Sequence, residues 1–139
     1  TLELNLNSLF IFFKANELSL NLIEREIKLK DEVMIHRGEL KAYAKLGEIY
    51  LDNLNKRLKY YVLEDDVKIV ERIKVGPNFS ERKAFAERLD GYPNDEKIIL
   101  TGFPKVYQDG DLIKGNKITL RENTEIVEVD DANTKFEIK

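Results

Sequence analysis

Residues 26–42 read Glu26-Ile27-Lys28-Leu29-Lys30-Asp31-Glu32-Val33-Met34-Ile35-His36-Arg37-Gly38-Glu39-Leu40-Lys41-Ala42, and this stretch decides the fold. Ile27 and Leu29 alternate with Glu26, Lys28 and Lys30; Val33 and Ile35 resume the alternation, and Leu40 and Ala42 continue it. A period of two places one set of side chains on one face of a strand, the mark of a half-buried β-sheet. Lys30-Asp31-Glu32 and His36-Arg37-Gly38 interrupt it and read as turns.

The same alternation runs outward in both directions. Upstream it takes in Leu2, Leu4 and Leu6, then Leu18, Leu20 and Leu22. Downstream come Ile49 and Leu51, Val67 and Ile69, Ile98 and Leu100, Ile118 and Leu120, Val127 and Val129, and Phe136 and Ile138. Further turn signals stand at Leu51-Asp52-Asn53, Asp65-Asp66, Gly91-Tyr92-Pro93-Asn94-Asp95, Asp109-Gly110, Lys114-Gly115-Asn116 and Asp130-Asp131. Short, closely spaced strands favour an all-β sandwich or jelly roll over βαβ units. Residues 53–61 and 80–89 carry some helical propensity. Residues 82–89 are assigned to a strand because Ala84 and Ala86 fall in register with the pattern. Residues 72–80, with Gly76-Pro77-Asn78, read as a loop between two halves of one stack.

Composition narrows the function. The 139 residues suit one domain, 1–139, and 42% hydrophobic with 35% charged residues mark a globular chain. A net charge of −3 argues against nucleic acid as a partner. There is no Cys and one His, so neither a thiol nucleophile nor a soft-metal site is expected, and no cofactor is implied. His36 reads as a surface residue at a strand end. The Asp65-Asp66, Asp109-Gly110-Asp111 and Asp130-Asp131 groups lack calcium-loop spacing and read as turns. The longest apolar run, residues 9–13, is too short to span a membrane or to form a signal-peptide core. Because the first residue is Thr1, the chain is read as a mature or trimmed form. Lys28, Lys30, Arg37, Lys41 and Lys45 form a basic group read either as a site for anionic phosphates or as a solvated face.

The chain also repeats itself. Units start at Ala15-Asn16-Glu17-Leu18, at Ala44-Lys45-Leu46-Gly47, at Ala86-Glu87-Arg88-Leu89 and at Gly115-Asn116-Lys117-Ile118, each with a small residue first. Such units bury their apolar faces only by stacking on neighbours.

The third and fourth units carry a resemblance. Lys97-Ile98-Ile99-Leu100-Thr101-Gly102, then Val106-Tyr107-Gln108, then Gly115-Asn116-Lys117-Ile118-Thr119-Leu120 resembles the pattern of the OstA-like family. Ala15-Asn16-Glu17-Leu18, Val33-Met34-Ile35 and Gly38-Glu39-Leu40-Lys41-Ala42 match it in the first half. Asn116 stands where that family usually has Asp, Leu120 where it has Tyr, and Phe103-Pro104-Lys105 replaces small polar residues. The resemblance spans residues 15–129 and implies an open, slightly twisted antiparallel β jelly roll folded into a V.

It also implies a non-enzymatic carrier of lipopolysaccharide in the periplasm, with acyl chains held in a hydrophobic groove. The inward alternating set supplies the groove candidates: Leu18, Leu20, Ile27, Leu29, Val33, Ile35, Ala42, Ile49, Leu51, Val67, Ile69, Ala86, Ile98, Leu100, Val106, Ile118, Leu120 and Val127. The commoner role of such half-buried alternating positions is plain core packing. The implied partners are lipopolysaccharide, inner-membrane-anchored and outer-membrane transport proteins, and further copies joined head to tail. Protein partners would pair with edge strands near residues 2–13 and 125–138. Two other readings stand beside this one: the periplasmic domain of a membrane-anchored or outer-membrane protein of the same pathway, and a carbohydrate-binding jelly roll. The lack of Trp and the scattering of Tyr along the chain weigh against the last.

Overall fold

The computed structural model describes residues 2–6, 11–52, 58–131 and 134–138. Among these described residues, thirteen strands form one antiparallel sheet: β1 (Leu2–Leu6), β2 (Ile11–Ala15), β3 (Glu17–Asn21), β4 (Glu26–Arg37), β5 (Leu40–Leu51), β6 (Leu58–Val75), β7 (Asn78–Tyr92), β8 (Lys97–Thr101), β9 (Lys105–Gln108), β10 (Asp111–Lys114), β11 (Lys117–Arg121), β12 (Val127–Asp131) and β13 (Thr134–Ile138). A 3₁₀ turn, Pro93–Asp95, joins β7 to β8.

Two expected turns lie inside strands. Asp31 and Glu32, at φ of 62° and 53°, are a bulge within β4, where pairing with β5 shifts between Lys30 and Val33. Asp65 and Asp66, at φ of 69° and 60°, do the same within β6, between Glu64 and Val67. Asp tolerates the left-handed region, so the signal for unusual backbone was correct and its reading as a chain reversal was not. At the same level β5 shifts register between Tyr43 and Leu46. There too the Glu87 N–H donates to Gly102 O at 3.0 Å, and Gly102-Phe103-Pro104 separates β8 from β9.

These breaks form a crease across the sheet. On one side lies a first leaf: β1, β2, 33–37, 40–44, 67–75, 78–86, β9 and β10. On the other lies a second leaf: β3, 26–30, 46–51, 58–64, 88–92, β8, β11, β12 and β13. The leaves fold over one another. Phe13 on β2 and Tyr61 on β6 meet edge to face with ring centroids 6.0 Å apart. Their strands stand three places apart in the sheet, about 14 Å in a flat arrangement. One hydrophobic cluster draws on both leaves, with Phe13, Ile35, Ala42, Ile69 and Val106 from the first and Ile49, Leu63, Leu89, Leu100 and Ile118 from the second. The small residue that starts each repeat unit lies on the crease: Ala15, Ala44 and Ala86 are buried there, and a Cβ on Gly115 would stand 2.5 Å from Val129 Cγ1.

The expected loop at 72–80 is a hairpin. β6 runs to Val75, Gly76 (φ 60°) and Pro77 make a two-residue turn, and β7 starts at Asn78. Two inward positions of this hairpin, Glu71 and Arg82, are charged and interrupt the apolar pattern. The strand expected over 82–89 is part of β7. Of the segment with helical propensity at 53–61, residues 58–61 belong to β6 and 53–57 lie outside the described residues.

Gly91 is set by packing rather than by φ. A Cβ there would lie 2.1 Å from Cζ of Tyr61, whose ring covers the backbone. Gly91→Ala is expected to destabilise by about 1–3 kcal/mol in urea unfolding, and Tyr61→Leu in the same chain to recover part of that loss. An unchanged unfolding midpoint in Gly91→Ala would refute this packing account.

Candidate functional site: the apolar interior and its rims

The space between the leaves is lined as alternation demands. In the second leaf, Leu29, Gly47, Leu63, Leu89, Leu100 and Ile118 form one cross-strand row. In the first leaf, Phe13, Ile35, Ala42, Ile69, Ala84 and Val106 form the facing row. Fifteen of the eighteen groove candidates are buried: Ile27, Leu29, Val33, Ile35, Ala42, Ile49, Val67, Ile69, Ala86, Ile98, Leu100, Val106, Ile118, Leu120 and Val127. Leu18 and Leu51 are half-buried and pack on this cluster. Leu20 departs from expectation at 61% exposed. It lies on β3, an edge strand of the second leaf paired only with β4.

The rims differ. Near β3 a cleft of about 630 Å³ opens to solvent, lined by Leu2, Leu18, Leu29 and Leu46 with Lys28 and Lys30 at its border. Opposite the crease, the lips of the two leaves are clasped by buried polar groups. Arg82 is 1% exposed, and its guanidinium donates to Glu71 Oε1 (2.5 Å), Gln108 Oε1 (3.2 Å), Thr124 O (2.9 Å) and Arg121 O (3.1 Å). The Asn123 N–H donates to Glu71 Oε2 at 2.9 Å, and Gln108 Nε2 donates to Glu125 O at 2.9 Å. Arg37 donates to Pro93 O at 2.9 Å and to Glu122 Oε2 at 3.2 Å. Every donor or acceptor named first in these bonds is on the first leaf except Asn123, and the 121–125 turn and Pro93 are on the second.

None of Glu71, Arg82, Gln108 or Glu122 was expected from sequence to act. The available signal was register: Arg82 shares an inward face with Ala84 and Ala86, Glu71 with Ile69 and Ile73, Gln108 with Val106. The basic group at 28–45 does not hold together. Lys28 and Lys30 lie on the outside of the second leaf, Lys41 on the outside of the first, and Arg37 in the clasp. His36 is in β4 and bonds Gly38 O through Nε2 at 2.9 Å. Scattered tyrosines do gather: Tyr50, Tyr60 and Tyr92 stack in a ladder with centroids 5.4 and 5.1 Å apart. They line a second open cleft of about 560 Å³ with Lys59, Asn94 and Asp95; Lys97 caps Tyr92, and the hydroxyls of Tyr50 and Tyr60 donate to Glu48 and Asp90.

Burial shapes the charges of the clasp. It pushes the Tyr61 hydroxyl well above the usual phenol range. It also pushes Glu122 up to about 7, with Glu71 and Glu96 adding to the rise and Arg37 opposing it.

A wide antiparallel sheet folded at mid-strand, with an apolar interior and open edges at both ends, defines an open β jelly roll. The family described as "LptA/(LptD N-terminal domain) LPS transport protein" matches residues 13–126, and the chain belongs to that family. It is therefore a transport protein and not an enzyme. Among solved structures it is similar to LptH from Pseudomonas aeruginosa, described as the LptA homologous periplasmic component of the conserved lipopolysaccharide transport device. The likeness has a TM-score of 0.76 and 16% identity over 93% of this chain and 94% of that one. A comparison with curated proteins gives no match.

Two measurements test the clasp. Arg82→Leu strands the Glu71 carboxylate in the interior, with an expected loss of about 3–5 kcal/mol in urea unfolding. For Glu122, the folded chain keeps a proton that the unfolded chain releases near 4.5, so stability falls as pH rises from 4.5 to about 7. Glu122→Gln is expected to flatten the stability–pH curve across that window; an unchanged slope would show that Glu122 is not its source.

Proposed function

We propose that the protein is a periplasmic carrier that holds the acyl chains of lipopolysaccharide between its leaves and passes the lipid along through edge-strand contacts. The observation that carries this reading is the two-leaf interior, apolar along cross-strand rows that run from one edge of the sheet to the other. Moving acyl chains from water into such a space gains about 0.8 kcal/mol per buried CH2, so several chains need few polar contacts. The interior is packed in this structure, so cargo enters as the leaves part. Leu18 and Leu51, half-buried at the margin, and the cleft beside β3 are where the first contacts would form.

The strand order begins at β1 and finishes at β13, and these edges suit pairing with inner-membrane-anchored and outer-membrane partners or with another copy. Residues 7–10, part of the expected N-terminal edge, lie outside the described residues. β3 and β10 are further edges, of the second and first leaf respectively. The family description covers both a free protein and the N-terminal domain of a larger one. Both readings share the interior and differ only in the partner at the edge.

A photo-crosslinking residue placed at Leu18 or Leu51 tests the interior. These variants are expected to crosslink lipopolysaccharide several-fold more than the same residue at Lys117, on the outer face of the second leaf. Equal yields at all three positions would overturn the assignment.

A further inference from the structure

The two outer faces of the folded sheet have different electrostatic designs. On the second leaf the row nearest the crease alternates in sign and neutralises itself: Glu17–Lys30 (3.9 Å), Glu64–Arg88 (3.6 Å) and Lys117–Asp130 (3.9 Å) pair across strands. On the first leaf the corresponding row runs Lys14, Met34, Tyr43, Lys68, Phe85, Lys105 and Lys114, each directly opposite the next. The row beside it runs Phe12, His36, Lys41, Val70, Lys83, Tyr107 and Leu112. Neither run holds a carboxylate. Of the six lysines only Lys83 has an ion-pair partner among the described residues, Glu81 at 3.3 Å. Among the described residues the neighbouring carboxylates include Glu3 on the edge strand opposite Lys14, and Glu39 and Glu81 toward the lip, where Glu39 pairs with Arg72 and Glu81 with Lys83. All this stands on a chain of net charge −3.

Large apolar groups share the face. Tyr43 is 41% exposed, Phe85 38%, Tyr107 44% and Leu112 47%, with Phe85 and Tyr107 edge to face at 6.0 Å. None of the described clefts is lined by these residues. A surface about seven strands wide, roughly 30 Å at ordinary strand spacing, offers a broad face and not a pocket.

We propose that the outer face of the first leaf is a docking surface for a bilayer that presents anionic phospholipid headgroups. Lysine ammonium groups reach the phosphates on flexible stems, while tyrosine and phenylalanine rings settle at the headgroup level. The breadth of the face, its lack of a cleft and its interleaving of cations with aromatic rings fit a membrane plane better than a single peptide. The surface lies outside the interior, so this inference does not rest on the transport reading. Docked this way, the crease and the lips both stand at the membrane's margin and the interior lies parallel to it.

The test is flotation of the intact chain with vesicles of phosphatidylcholine alone and with phosphatidylglycerol added. Binding is expected only with the anionic lipid and is expected to weaken with salt. Each lysine near such a surface is worth about fivefold in affinity. Changing Lys41, Lys68, Lys83 and Lys105 to Glu is expected to abolish binding. The charge-matched change of Lys28, Lys30, Lys59 and Lys117 to Glu, on the second leaf, is expected to weaken it far less. The chain has no Trp, so single reporters are available. Tyr107→Trp is expected to shift to the blue on anionic vesicles and Tyr60→Trp to stay unchanged, a readout that needs no charge variant to fold. Equal binding to neutral vesicles, equal loss in both lysine variants, or equal response of both reporters would overturn the proposal. So would salt-sensitive self-association without vesicle binding, which would assign the face to a second copy.

Discussion

The structure depends on one backbone constraint: the long strands of the sheet have to turn through the same crease. A flat sheet of this width would expose one whole face of Ile, Leu and Val to water. Bending at a common level lets that face cover itself, and the bend is localised by paired left-handed residues at Asp31-Glu32 and Asp65-Asp66. Small residues follow from the bend. Where the leaves diverge there is little room between them, and Ala15, Ala44, Ala86 and Gly115 occupy that line. The leaves share strands β4 to β7, so neither can be displaced without bending a strand common to both.

A fold closed at the crease is free at the lips, and the protein secures that free side with charge. Arg82 and Glu71 are both nearly inaccessible and gather the 121–125 turn of the opposite leaf. Such a closure differs from apolar packing in kind. Its strength depends on every partner being present and on the protonation of Glu122, so it is specific and breakable where the core is neither. The interior is thus held by a continuous backbone on one side and by a set of hydrogen bonds on the other.

Much of this was legible in the residues. Alternation marked the strands and their inward faces, and most residues it turned inward are buried. The repeat was legible too, and its small leading residues proved to mark the crease. What alternation did not reveal was continuity: a pair such as Asp65-Asp66 has the chemistry of a turn, and only the pairing of both flanks to the same neighbours shows it to be a bulge. The hairpin at Val75–Asn78 was obscured for a related reason. Glu71 and Arg82 occupy inward positions, and a pattern that equates inward with apolar stops there. The clasp was therefore hidden by the same residues that build it. Leu20 shows the converse error, since alternation assigns a face but not what covers it.

The central strands β4, β5, β6, β7 and β8 lie in the sheet in the order in which they occur in the chain. Each pairs with its predecessor through a short connection, and the β6–β7 hairpin turns within two residues. For an all-β protein this makes the early contacts local, so the entropy of loop closure is met in small steps. Assembly can start at that hairpin and spread strand by strand toward both sides. The outermost strands, each held by a single neighbour, are expected to join last and to open first. The order in which the chain folds is thereby also a gradient of local stability, greatest at the middle of the sheet and least at the edges where another chain could add its own strand.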